Sequence, residues 1–203
     1  MKRLGNDAIV DRLMKPEATS ILVGLPASEL DFHNTRCMSG FYASSFPGGW
    51  AQYEFTFLRP LNILLDLASR IGIHVESKAG LPQFETAFSR PTTNQRDLRL
   101  VMILSHWHEQ CVEFQGGLVR VDQLVRAIPE EFEGVLDLCV CHPLALVQAV
   151  LKCRQSCLVR QSEKRLKPYV WFEYYKVFFQ LGKQGDRTYA ELLQEVSHAM
   201  RSI

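Results

Sequence analysis

Two short apolar runs in this chain each end in a cluster of histidine and cysteine: "LSHWHEQC" at Leu104 to Cys111, and "LDLCVCHP" at Leu136 to Pro143. Imidazole and thiol are the pair from which a nucleophile and its general base are built, and both are also zinc ligands. The runs that carry them, "LRLVMILS" and "GVLDLCVC", are apolar almost throughout and of strand length, the pattern of parallel strands buried on both faces. His106 then follows the end of one strand and Cys141 closes the other. Sites in open α/β sheets lie beyond the carboxyl ends of the strands, so an imidazole and a thiol are expected together on one edge. Cys141 is followed by His142 and by Pro143, the favoured first residue of a helix. A helix N-terminus carries partial positive charge and favours thiolate over thiol. Backbone N–H groups at such a turn can hold the oxyanion of a tetrahedral intermediate.

Other readings of the same residues compete. Cys139 stands two residues before Cys141 and so on the same side of a strand. Cysteine is among the most often buried residues, and Cys139 is read as core, as are Cys111, Cys153 and Cys157. His108 is read as a loop or site-wall residue. A tetrahedral zinc site needs four ligands, for which His106, His108 and Cys111 could join Cys139, Cys141 and His142. The spacings His-x-His-x-x-Cys and Cys-x-Cys-His are not those of common zinc knuckles, and no metal is assigned.

The elements that must position these groups can be read from periodicity. "QYEFTFL" alternates as a strand, "PLNILLDLASRIG" is periodic as a helix closing on Gly72, and "IHVES" is a short strand. "LPQFETAFSR" holds a short helix before a loop broken by Pro91. "CVEFQGGLVRV" reads as a hairpin around Gly116 and Gly117, "DQLVRAIP" as a short helix, "PLALVQAVLKCR" as a helix, and "SCLVRQS" as another strand. Trp171, Tyr174, Tyr175, Phe178 and Leu181 recur at helical spacing up to Gly182, and Thr188 with Glu191 forms a capping box opening a last helix through Met200. In the first fifty residues only "ILVGLPAS", as a strand, and "FPGGW", as a turn, are marked. Strands alternating with helices predict an α/β three-layer sandwich with a mostly parallel central sheet.

Composition narrows the class. At 203 residues, 47% of them hydrophobic, the chain is expected to form a single domain, residues 1–203, with 1–50 as a weakly patterned N-terminal extension. Its 23 basic and 22 acidic residues give no bias toward a nucleic acid or a membrane surface. Neither a signal peptide nor a membrane span is read, and the cytoplasm is the expected location. The six cysteines, including Cys37, are too few for a disulfide framework in a chain of this length.

At the two strand ends a resemblance enters. "VMILSHW" resembles the strand and histidine segment of caspase-like cysteine peptidases, where aliphatic residues end in Ser-His-Gly. "GVLDLCVCHP" resembles their next strand, which ends on the catalytic cysteine. "WFEYYKVFFQLGKQGDRTYAELLQEVSHAM" is similar to the close of the CHAT branch of that clan, where an aromatic-rich helix, a glycine and a final helix follow the last core strand. The similarity runs from about Gln52 to Met200, mainly as an order of elements. It implies a caspase/CHAT-like fold and a cysteine endopeptidase without cofactor, with His106 as base and Cys141 as nucleophile. The backbone N–H groups of Trp107 and Cys141 would form the oxyanion hole, although Trp107 stands where the family usually has glycine. Asp137 before Cys139 resembles the Asp-x-Cys of metacaspases, which makes Cys139 the runner-up nucleophile, while the strand-to-helix turn at Cys141 and the match of His142 after it to their Cys-His favour Cys141.

The same resemblance implies a protein substrate, restraint by a regulatory protein partner or a homodimer, and, among bacterial relatives, effector roles in defence or regulated cell death. Relatives select an acidic or a basic residue before the cut through the charge of one pocket. Asp137 or Glu113 would favour a basic residue there and Arg160 an acidic one; the balance leans to basic. A catalytically inactive caspase-like interaction subunit is the alternative that Trp107 suggests, with a zinc-binding domain as the other.

Overall fold

Successive side chains of a strand point to opposite faces, so a strand apolar at every position needs cover on both. That condition governs the computed structural model, which describes residues 2–38, 40–90, 92, 94, 96–115, 117–140, 143–161 and 168–201. The strands are β1 (Lys2–Gly5), β2 (Leu13–Val23), β3 (His74–Glu76), β4 (Asp97–Leu104), β5 (Trp107–His108), β6 (Cys111–Phe114), β7 (Gly117–Arg120), β8 (Gly134–Cys139) and β9 (Leu158–Gln161). Six of them form one sheet in the order β1-β9-β8-β4-β2-β3, and β5, β6 and β7 form a small separate one. All neighbours from β9 to β3 are parallel; β1 joins the β9 edge antiparallel.

The helices are α1 (Glu29–Met38), α2 (Gly40–Ser45), α3 (Gly49–Tyr53), α4 (Arg59–Arg70), α5 (Leu81–Ala87), α6 (Val121–Ala127), α7 (Leu144–Cys153), α8 (Pro168–Gly182) and α9 (Tyr189–Met200). On one face of the sheet Leu98, Leu100, Met102 and Leu104 of β4 pack with α4, α8 and α9. On the other, Val101 and Ile103 of the same strand pack with α5, α6 and α7. The protein is therefore an α/β three-layer sandwich. α4 buries Leu61, Leu64, Leu65 and Ala68, the stripe its sequence period specifies. Thr188 accepts from the Glu191 N–H at 3.3 Å while the Glu191 carboxylate accepts from the Thr188 N–H at 2.8 Å, so the capping box opens α9 as read.

One expected strand is a helix. "QYEFTFL" lies in a continuous helical stretch from α3, through one π-helical turn at Glu54–Leu58, into α4. The alternation of Tyr53, Phe55 and Phe57 suggests a strand, yet Tyr53 and Phe57 are also four residues apart. Their rings stack at 5.5 Å, Tyr53 and Leu58 are buried, and Phe55 is left 69% exposed. Helical pairing at four-residue spacing outweighs the period of two because a small aromatic core, Phe32, Tyr42, Phe46, Tyr53 and Leu58, is there to receive it. The strand that opens the strand-helix-strand unit is instead β2, which pairs with both β3 and β4. The first fifty residues thus supply β1, β2, α1 and α2, including a strand from the middle of the sheet. Pro143 stands one place earlier than expected, at the N-cap of α7.

The hairpin after β4 is tight. Trp107 pairs with Val112 and His108 with Cys111, which leaves Glu109 and Gln110 as its two-residue turn, with φ of 43° and 65°. Both lie in the left-handed region, where a side chain crowds the following carbonyl. Gln110→Gly is expected to stabilise the protein by up to about 1 kcal/mol, read as a higher urea midpoint at unchanged slope.

Candidate active site

β4 and β8 end side by side. Leu104 is the register partner of Cys139, and the Ser105 N–H still reaches the Cys139 carbonyl at 3.4 Å. His106 is thus two residues beyond the end of β4, as Cys141 is two residues beyond that of β8. β2 and β4 are also the pair at which the chain's course across the sheet reverses, the place where open sheets form their crevice. Cys141 and His142 lie outside the described residues, in the connection between β8 and α7.

His106 is buried, and three contacts fix its segment. The Glu113 N–H donates to the His106 carbonyl at 2.9 Å, the Ser105 hydroxyl donates to the Glu113 carbonyl, and the His106 ring meets Tyr42 edge to face with centroids 5.9 Å apart. Ladder bonds alternate along an antiparallel pair, so after the bonded pair of His106 and Glu113 the Trp107 N–H turns away from β6. The Trp107 side chain packs beside the α5, α6 and α7 core. Among the described residues only Glu109 and Gln110 combine a side chain with positive φ, so Trp107 keeps an ordinary backbone.

Glu113 is the buried acid of this edge. The Tyr42 hydroxyl points at its two carboxylate oxygens, at 3.4 and 3.3 Å, and the Thr35 hydroxyl donates to it as well. Burial pushes its carboxyl up to about 7 against the pull of those two hydroxyls. Gly24, just past β2, lets the sheet approach this residue: a Cβ there would come within 2.2 Å of the Glu113 carbonyl oxygen. Tyr53, whose hydroxyl donates to the Pro26 carbonyl at 2.9 Å, has its phenol pushed up by burial and by Glu113.

The other pocket candidates belong to a separate network. Asp137 and Arg160 are register partners on β8 and β9, their side chains 1% exposed, in an ion pair of 2.6 Å. The Tyr175 hydroxyl donates to Asp137 at 2.9 Å and lies 2.9 Å from the Cys139 sulfur; the Arg160 guanidinium lies 4.9 Å from the Tyr174 ring centroid and 3.4 Å from the Tyr189 hydroxyl. Burial pushes the Asp137 carboxyl up, opposed by Arg160 and Tyr175. Burial, reinforced by Asp137, pushes the Cys139 thiol well above its ordinary range, so Cys139 is a packed thiol rather than a nucleophile. Asp137 and Arg160 neutralise each other, and neither offers a lone charge to a substrate.

The structure therefore brings His106 and Glu113 together at one edge and sets Asp137, Cys139 and Arg160 apart on the α8 and α9 face. His108 lies partly exposed in β5, 3.9 Å from the Glu109 carboxylate. Among the described residues no three His, Cys, Asp or Glu side chains gather as a metal site. Tyr42 and Thr35 were not legible as site residues. They come from a stretch with no chemical motif, and Tyr42 lies 71 positions from Glu113 in the chain. Set against known proteins, the chain matches no family description, no curated protein and no solved structure. No described helix is long and apolar enough to cross a membrane.

Two stability measurements follow from these groups. Asp137→Ala is expected to cost about 3 to 5 kcal/mol in urea unfolding because it strands a buried guanidinium, whereas Asp137→Leu combined with Arg160→Met recovers most of that loss. Glu113 has its folded value raised from 4.5 to about 7, so the folded state binds the extra proton and stability falls as pH rises through that window. The Tm of the wild type should carry this decline, with a slope of at most about 1.4 kcal/mol per pH unit from this group, and Glu113→Gln should flatten it.

Proposed function

We propose that the protein is a cysteine endopeptidase in which His106 and Cys141 form the catalytic dyad. The observation that carries this reading is the register of β4 and β8, with Leu104 opposite Cys139, so that the chain leaves both strands for His106 and Cys141 at the same sheet edge. The sequence resemblance to caspase-like and CHAT peptidases supports it at the same two positions. So does the Trp107 N–H, which turns away from the hairpin ladder and suits one arm of an oxyanion hole, with the backbone N–H of Cys141 as the other.

In this mechanism the Cys141 thiolate attacks the scissile carbonyl carbon of a protein substrate, forming a C–S bond as the carbonyl electrons move onto oxygen. Protonated His106 gives its proton to the leaving amine as the C–N bond breaks. Neutral His106 then takes a proton from water as its oxygen attacks the thioester, and the C–S bond breaks to free the acid product and restore the Cys141 thiolate beside protonated His106. No metal or organic cofactor takes part. Such an activity calls for restraint by a regulatory protein partner or a homodimer.

The test is pH-dependent iodoacetamide labelling of the native protein, located by peptide mapping, on wild type, Cys141→Ala and His106→Ala. Labelling at Cys141 near neutral pH should run about tenfold or more ahead of the buried Cys139 and Cys157, and slow when His106 is removed. Slow labelling of Cys141, indifferent to His106, would sink the dyad and leave an inactive caspase-like interaction subunit as the better description.

A further inference from the structure

Glu113 is linked to the His106 ring through Tyr42, by hydrogen bonds at the Tyr42 hydroxyl and by a ring contact at its edge. Tyr42 is held at its hydroxyl by the Glu113 carboxylate and along its ring by Phe32, Phe46 and Tyr53, at centroid distances of 5.6, 6.3 and 5.9 Å. The Tyr42 ring also meets the His106 imidazole edge to face at 5.9 Å, with the ring planes 69° apart. Glu113 also grips the same histidine through the backbone, its N–H on the His106 carbonyl and its own carbonyl on the Ser105 hydroxyl. An acid 3% exposed is costly to bury, and this one comes with a dedicated pair of hydroxyl donors, Tyr42 and Thr35.

We infer that Glu113 and Tyr42 are a positioning pair for the His106 imidazole, Tyr42 fixing the plane of the ring and the Glu113 carboxylate fixing Tyr42 and stabilising the imidazolium. The inference rests on reading His106 as the general base. It gives Glu113 a different task from that of a specificity charge, since its carboxylate is buried and engaged by Tyr42 and Thr35. The pair also ties the histidine to pH. The groups that face Glu113 are Thr35 of α1, Tyr42 of α2, Tyr53 of α3 and His106 beyond β4, with Asp31 of α1 nearby through the Gln115 amide at 3.5 Å. His106 is the one group among them that gains positive charge on protonation, so an ionised Glu113 would favour the charged ring. Burial pushes the Glu113 carboxyl up to about 7, against the pull of the Tyr42 and Thr35 hydroxyls.

The experiment is an NMR titration of the full chain carrying ring-labelled histidine, on wild type, Glu113→Gln, Glu113→Asp and Tyr42→Phe, with His106 assigned through His106→Ala. His33, His74, His108, His142 and His198 serve as internal controls of fold. The His106 midpoint should fall by about half a pH unit or more in Glu113→Gln, return toward the wild-type value in Glu113→Asp, and shift together with the ring's chemical shift in Tyr42→Phe. A His106 midpoint and shift unchanged in Glu113→Gln and Tyr42→Phe, with the control histidines undisturbed, would overturn the pairing. If Glu113→Gln does not fold, Tyr42→Phe, which keeps the ring and removes only the hydroxyl, decides alone. Cys141 labelling on the same samples separates the two claims. A shifted His106 beside an unreactive Cys141 defeats the peptidase and keeps the pair, whereas a reactive Cys141 beside an unmoved His106 defeats the pair alone.

Discussion

The parallel pairing of β4 with β8 is the constraint on which the rest of the molecule hangs. It sets Leu104 opposite Cys139, and so determines where the chain must leave the sheet toward His106 and toward Cys141. It also fixes which side chains face which core, because a shift of one residue would turn Met102 and Leu104 away from the α4, α8 and α9 layer and aim Val101 and Ile103 at it. With both faces of the sheet covered, no such slip is tolerated. The same register holds the ends of the two strands, Leu104 and Cys139, level with each other.

Two buried polar systems lie on either side of this register, and they do different physical work. Asp137 and Arg160, directly opposite on β8 and β9, satisfy one another, with Tyr175 also bonded to Asp137 and Tyr189 to Arg160. A buried pair of this kind adds little net stability against an apolar replacement, yet it penalises any arrangement that separates its members. Its position on two central strands makes it a lock on their register. Glu113, by contrast, is engaged by the hydroxyl groups of Tyr42 and Thr35. Burial pushes its carboxyl up to about 7, against the pull of those hydroxyls.

The small aromatic core formed by Phe32, Tyr42, Phe46, Tyr53 and Leu58 links the N-terminal helices to this edge. Its rings meet mostly edge to face, each such pair contributing about 0.5 to 1.5 kcal/mol beyond the burial of area. Gly24 permits the arrangement, since only a residue without Cβ allows the chain after β2 to pass so close to the Glu113 backbone. The stretch with the least pattern in sequence therefore builds the wall against which His106 rests.

What the sequence determined by itself follows from local physics. Near-continuous apolar runs require strands buried on both faces, which identified β4 and β8; three- and four-residue spacing identified α4 and α8; and the Thr188 and Glu191 pair marked the start of α9. His106 at a strand end was legible for the same reason, as a polar residue directly after a buried run. The tertiary structure alone decided the rest. It made a helix of "QYEFTFL" because an aromatic core was present to take Tyr53 and Phe57 on one side. It joined Asp137 to Arg160 through cross-strand register, and brought Tyr42 to Glu113 from a distant part of the chain. Such contacts depend on which strands become neighbours, and a single sequence read without its relatives carries no local signal for pairing between segments so far apart.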